Sequence, residues 1–138
     1  MRVAMGDSIL GGVAIGPLRF YRRRKNTLAE VSSDLTAAEE WDRFEQAMEK
    51  SLEQLSALYE KALEQVGETD AAIFEIHQVM LGDENYLDSV RSILETQGVT
   101  AERAAAVTGD NLAAVFADMD DSYMKARSAD VQDISRRV

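Results

Sequence analysis

The chain contains no cysteine, one histidine, one proline and one tryptophan among its 138 residues. Without thiols, a disulfide framework, a thiolate metal site and a cysteine nucleophile are all excluded. A single imidazole, His77, leaves histidine chemistry either to that residue or to groups outside this sequence. No apolar run approaches the roughly 20 residues needed to cross a bilayer. The N-terminus also lacks the charged region, apolar block and cleavage site of a secretory leader. A cytoplasmic location with no membrane insertion is therefore expected. The G-x-x-x-x-G-K-[ST] loop, the G-x-S-x-G elbow and the H-E-x-x-H helix are all missing. One histidine and scattered carboxylates do not make a tetrahedral or octahedral ligand set, so no metal or other cofactor is expected within this chain.

What is present is the mixture of a folded helical protein, with 46% hydrophobic and 29% charged residues, in a length suited to one domain. Charge is divided unevenly. Residues 2–25 carry Arg2, Arg19, Arg22, Arg23, Arg24 and Lys25 against Asp7, a local balance of about +5 inside a total of -10, so the remainder stands near -15. An acidic body repels nucleic acid and anionic lipid, and it steers basic protein partners into encounter. No nucleic-acid role is expected. The basic run Arg22–Lys25 reads as a solvated turn beside a strand or as a specific anion site.

The pattern changes near residue 34. Before it, GGVAIGPLRFY (Gly11 to Tyr21) combines glycine, β-branched and aromatic residues with the only proline, and it predicts an extended strand. After it, helical periodicity takes over. Thr36 and Glu39 have capping-box spacing and open a long helix to about Val66, with Trp41, Phe44, Met48, Leu55, Leu58 and Ala62 along one stripe. A second helix is expected from about Asp70 to Leu81, before the GDEN turn (Gly82 to Asn85). A third places Tyr86, Leu87, Val90, Ile93 and Leu94 inward and stops at Gly98. Thr100 caps a fourth, with Ala104, Val107, Leu112, Val115, Phe116 and Met119 as its expected buried face. A last helix starts near Ser122.

The fold class is mainly α, an antiparallel helical bundle with short connections. A lone strand beside it leaves backbone donors and acceptors unpaired. The strand is expected to belong to an α/β subdomain that this chain does not complete. Residues 1–34 then form the strand and linker of that subdomain, and residues 35–138 form the helical domain.

Three sequence blocks carry a specific resemblance. GVAIG near the N-terminus, AAIFEIHQVMLGDENYLD (Ala71 to Asp88), and MDDSYMKARSADVQDISRRV (Met119 to Val138) resemble, in this order, the start of the enzyme I family of the bacterial phosphoenolpyruvate:sugar phosphotransferase system. The family's A-I-F-E-x-H pattern falls on Ala72 to His77. Its R-x-A-D-V-x-D-I pattern falls on Arg127, Ala129, Asp130, Val131, Asp133 and Ile134. Where the family often has S-P-G, this chain has Leu10, Gly11 and Gly12.

The resemblance implies an enzyme that moves a phosphoryl group from phosphoenolpyruvate to a histidine and then to the small phosphocarrier HPr. It implies a magnesium-dependent barrel in a later part of the parent, which is also expected to carry the dimer contact. The family's phosphorylated histidine lies in a threonine-serine-histidine motif, and this chain has none. His77 instead matches a histidine of the family's HPr-docking surface. The expected partner-binding residues are Glu68, Ala72, Glu75, His77, Val79, Met80, Asp83 and Glu84, joined by Asn111, Ala114, Val115 and Phe116, and by Arg127. Each has a plainer reading: a packing histidine, core for Met80 and Phe116, a solvated acidic face, and an i,i+3 surface pair for Arg127 with Asp130. A non-catalytic adaptor, self-associating through the stripe between Trp41 and Val66, is the alternative.

Overall fold

The computed structural model describes residues 11–13, 15–17 and 32–138. Five helices account for most of them: α1 (Ala37–Val66), α2 (Glu68–Leu81), α3 (Glu84–Gln97), α4 (Ala101–Asp118) and α5 (Ser122–Arg137). The strand expected over Gly11 to Tyr21 falls largely outside the described residues, as does the basic run at Arg22–Lys25. Residues 11–13 and 15–17 have no regular structure.

Helix starts follow local hydrogen-bonding chemistry. Thr36 Oγ1 accepts the Glu39 N–H at 3.3 Å, and the Glu39 carboxylate accepts the Thr36 N–H at 2.8 Å, the reciprocal pair that a capping box requires. That N–H and then the Thr36 hydroxyl hold the Glu39 carboxyl below its ordinary pKa. Thr100 accepts the Arg103 N–H at 3.3 Å and opens α4. Asp121 accepts from Tyr123 and Met124 at 2.8 and 3.0 Å and opens α5. At the other end of α3, Gly98 adopts φ 59°, a left-handed conformation that glycine enters without a Cβ clash.

Only Gly67 separates α1 from α2. Its φ of 92° is one that side-chain-bearing residues rarely adopt. Its carbonyl accepts the Ala71 N–H at 3.1 Å, so α2 begins two residues before the Asp70 expected from sequence. Glu68 and Asp70 in the first turn suit the positive end of the helix dipole. No side chain caps it.

Packing is closest between α1 and α2 and between α4 and α5. The one-residue and three-residue connections within these pairs make each an antiparallel hairpin. Phe44, Leu55, Leu81, Tyr86, Val90, Leu94 and Ile134 are buried, joining α1, α2, α3 and α5 in one core. Each contributes about 1.5–3 kcal/mol. Trp41, Met48, Leu52 and Phe74 pack against its rim. Tilted aromatic contacts run from Trp41 to Phe44 (5.3 Å) and on to Tyr86 (6.4 Å).

The buried face of α4 departs in part from expectation: Ala104 is buried and Val107 and Leu112 pack against the core as expected, but the rest differs. Ala101, Ala104, Ala105, Thr108, Gly109 and Ala113 are buried, Val107, Leu112, Phe116 and Met119 are half-buried, and Val115 is 53% exposed. The physical reason is the close approach of α5: a Cβ at Gly109 would overlap the Ser135 side chain. Small residues therefore occupy the contact. The Ser135 hydroxyl donates to the Val131 carbonyl at 2.8 Å and accepts from the Tyr86 hydroxyl at 3.1 Å, tying α3 to the same crossing.

A carboxylate is also buried in the body. Glu40 is 1% exposed, accepts the Ala101 N–H at 2.9 Å and the Arg43 guanidinium at 2.6 Å, and accepts the Ser33 hydroxyl. Arg43 extends to Glu102 at 2.5 Å. The Ser33 N–H donates to the Gly98 carbonyl at 2.9 Å, and Ser32 forms an antiparallel bridge with Val99. The segment entering α1 is thereby fastened to the α3–α4 turn.

Candidate docking surface

The sequence-derived site residues on α2 do not share one face. At about 100° per residue, Glu68, Ala72, Glu75 and Val79 fall within roughly 60° of one another. Glu68, Glu75 and Val79 are exposed, Val79 at 70%, and Ala72 is half-buried. This is a solvent-facing stripe of two carboxylates around an apolar centre. Met80 is half-buried and packs against the core. Asp83 and Glu84 continue the acidic surface past the end of α2, both exposed. Asp83 has a structural duty too, accepting the N–H groups of Asn85 and Tyr86 at 2.9 and 3.4 Å to cap α3.

His77 points elsewhere. Two residues beyond Glu75, it lies about 160° around the helix from it, on the side that meets α5. Its Nε2 is 3.4 Å from Asp130 Oδ1, the side chain is only 13% exposed, and Nε2 itself is buried with no hydrogen-bond partner. Asp130 Oδ2 accepts from Arg127 Nη1 at 2.7 Å, and the Arg127 guanidinium lies 4.5 Å from the Tyr123 ring centroid. The hydrogen bond from Arg127 to Asp130 raises the guanidinium pKa further, against the opposing effect of burial. The i,i+3 pair of Arg127 and Asp130 is legible in the sequence. The third member across the helix interface is not.

On α4, Asn111, Ala114 and Val115 are exposed and Phe116 is half-buried. Tyr123, 60% exposed at the start of α5, was not among the expected residues. The signal for it was available: tyrosine four positions before an arginine on one helix face. Among the described residues, no three His, Cys, Asp or Glu side chains gather into a metal-holding group, and no helix is long and apolar enough to cross a membrane.

What this surface offers is recognition chemistry. It presents carboxylates and apolar side chains to solvent, while its imidazole nitrogen Nε2 has no accessible surface.

Comparison with known proteins agrees with the sequence resemblance. The phosphoenolpyruvate-protein phosphotransferase of Bacillus subtilis (strain 168) is 33% identical over 139 residues, covering 100% of this chain and 24% of that protein. The protein of the same name from Bacillus sp. (strain S) is 36% identical, covering 96% of this chain and 23% of its own length. That from Geobacillus stearothermophilus is 37% identical over 114 residues, with 83% and 19% covered. The chain thus spans about a quarter or less of the length of these curated relatives. A solution NMR structure of an enzyme I protein superposes with a TM-score of 0.70 at 32% identity, covering 73% of this chain and 41% of the other. The family model described as PEP-utilising enzyme, N-terminal, matches residues 5–127. With nearly the whole chain matched in this way, the protein belongs to the PEP-utilising enzyme N-terminal family.

Proposed function

We propose that this chain is the HPr-docking portion of a cytoplasmic phosphoenolpyruvate-protein phosphotransferase, the enzyme that passes a phosphoryl group from phosphoenolpyruvate through a histidine to HPr in sugar uptake. The observation that carries the reading is the stripe of exposed Glu68, Glu75 and Val79 with half-buried Ala72 on α2, and exposed Asn111, Ala114 and Val115 on α4. Phe116 and Met80 are half-buried members of the surface, and Asp83 and Glu84 extend its acidic part. Arg127 and His77 back the surface from the α2–α5 contact.

In this reading the phosphorylated histidine belongs to the rest of the parent. His77 is a poor nucleophile candidate because its side chain is only 13% exposed and its Nε2 is buried beside Asp130. Magnesium belongs to the same absent part, as does the contact that makes the parent a homodimer. The exposed carboxylates Glu68, Glu75, Asp83 and Glu84 serve recognition in this reading. Residues 1–34 are assigned to the partly represented phosphohistidine subdomain and residues 35–138 to the docking domain.

Titration of the 138-residue chain with HPr tests this reading. Binding is expected to weaken steadily as salt rises, because exposed charges on both sides are screened. Absence of binding at low ionic strength overturns it. Light scattering on the same samples addresses the alternative: a stable dimer indifferent to HPr identifies a self-associating adaptor.

A further inference from the structure

The contact between His77 and Asp130 is the sole polar side-chain link from α2 to another helix among the described residues. The remaining contacts of α2, through Ala71, Phe74, Met80 and Leu81, are apolar, and apolar contacts tolerate small rotations better than a close, buried pair of polar groups. The start of α2 has no side-chain cap, and a single glycine, Gly67, joins it to α1. How far α2 is rolled about its own axis decides whether Glu75 and Val79 face solvent or turn towards a neighbouring helix. His77 sits almost opposite them, where a fixed point restrains that roll most directly.

Asp130 is suited to be the fixed point. One carboxylate oxygen faces His77 Nε2 at 3.4 Å, and the other accepts from Arg127 at 2.7 Å. Arg127 is in turn held over Tyr123 at 4.5 Å. The carboxylate therefore cannot swing freely, and neither α1 nor α3, the other helices in contact with α2, brings a carboxylate within 4.0 Å of the imidazole. Asp130 and Arg127 are the charged groups that the α5 side contributes.

We propose that Asp130 and His77 are positioning residues that lock the roll of α2 against α5 and so set the register in which the α2 stripe is presented to its partner. The proposal rests on the docking reading for its consequence, but the lock itself does not depend on it.

The absence of cysteine allows a clean test on the full 138-residue chain. Nitroxide labels at Val79→Cys and Val115→Cys report the α2–α4 distance distribution by pulsed electron resonance, and HPr dissociation is timed on unlabelled protein. His77→Ala and Asp130→Ala are expected to broaden the distribution and to speed dissociation roughly fivefold, the scale of a coupled contact expressed in the off-rate. His77→Gln, which keeps an N–H donor for Asp130, is expected to restore the narrow distribution and the slow release, whereas a residue with a merely packing role would not be rescued by this chemistry. Should Asp130→Ala fail to fold, Asp130→Asn replaces it, keeping the size and removing the charge. An unchanged distribution in the alanine variants overturns the lock. A broadened distribution with unchanged HPr release overturns the positioning role. If wild-type protein does not bind HPr at all, the docking reading has failed, and the distance measurement still decides whether the lock exists.

Discussion

Glu40 on α1 caps the amino end of α4: its Oε2 accepts the Ala101 backbone N–H at 2.9 Å, from 61 positions away in sequence. Burial pushes this carboxyl's pKa up, but the Ser33 hydroxyl, the Ala101 N–H and Arg43 together outweigh that effect and bring it below the ordinary value. The network satisfies the carboxylate so fully that its removal leaves several buried groups without partners.

Glu40→Ala is therefore expected to destabilise the chain by about 3 kcal/mol, the usual cost of breaking a buried charged network. Glu40→Gln should cost less, since the amide oxygen still accepts the Ala101 N–H. The depressed carboxyl pKa also sets a sign. Its stabilisation is present above the unfolded carboxyl pKa of about 4.3 and is lost as pH falls through the lower folded value. Thermal melts across this acidic range should show a shallower loss for Glu40→Gln than for wild type. Parallel curves would remove Glu40 from the account of acid stability.

The α4–α5 crossing predicts that Gly109→Ala is destabilising although alanine favours helices. The new Cβ meets Ser135, and overpacking of this kind costs about 1–3 kcal/mol. Removing the obstructing side chain in the double variant Gly109→Ala with Ser135→Gly should recover part of the loss relative to the sum of the single changes. Denaturant melts of the four proteins check this, and strict additivity counts against a shared steric origin.

Tyr86 offers a test at alkaline pH. Burial raises its hydroxyl pKa, with the Ser135 hydrogen bond acting in the opposite sense. A raised folded pKa means that stability is intact below the unfolded value of about 10 and is lost as pH rises through the folded one. Tyr86→Phe removes the 3.1 Å bond to Ser135 and is expected to cost about 1 kcal/mol at neutral pH. It should also flatten the alkaline loss of stability, as read from melts between neutral pH and pH 11.

For partner binding, the informative charge reversals are at Glu68 and Glu75, which are exposed and make no hydrogen bond or ion pair from their side chains. Each should slow association with a basic partner several-fold at low salt; the melting temperature should stay nearly unchanged for Glu75 and fall slightly for Glu68, which loses a favourable contact with the helix dipole. Asp83→Lys is a mixed experiment, because losing the α3 cap costs about 1 kcal/mol of stability alongside any loss of charge complementarity. Stopped-flow association at two ionic strengths distinguishes them: a deficit that persists at high salt points to structural damage.

Much of this architecture is legible in the sequence because helix boundaries are local chemistry. Thr36 with Glu39, Thr100 and Gly98 identify their ends from spacing alone. The start of α2 is less legible, since Gly67 reads as a stop and gives no side-chain cap to mark the next helix. The inward face of α4 is misread in part: Ala104 is buried and Val107 and Leu112 pack against the core, but larger apolar side chains attract the assignment away from Ala101, Ala105, Thr108, Ala113 and Gly109, where α5 comes close. For the site, the acidic stripe of α2 follows from periodicity. The pairing of His77 with Asp130 crosses two helices, and the internal Glu40 looks like any other charged residue in a helix. Neither can be read from neighbours in sequence.

The single-residue link at Gly67 gives the long hairpin an unusual sensitivity to chain length. A longer loop would absorb an extra residue as slack. Here an insertion either doubles the length of the joint or enters the second helix, where it turns every following side chain by about 100° and advances it about 1.5 Å. The surface carried by α2 is thus encoded by counting as much as by residue type, so variants in chain length at this joint should be far rarer than substitutions.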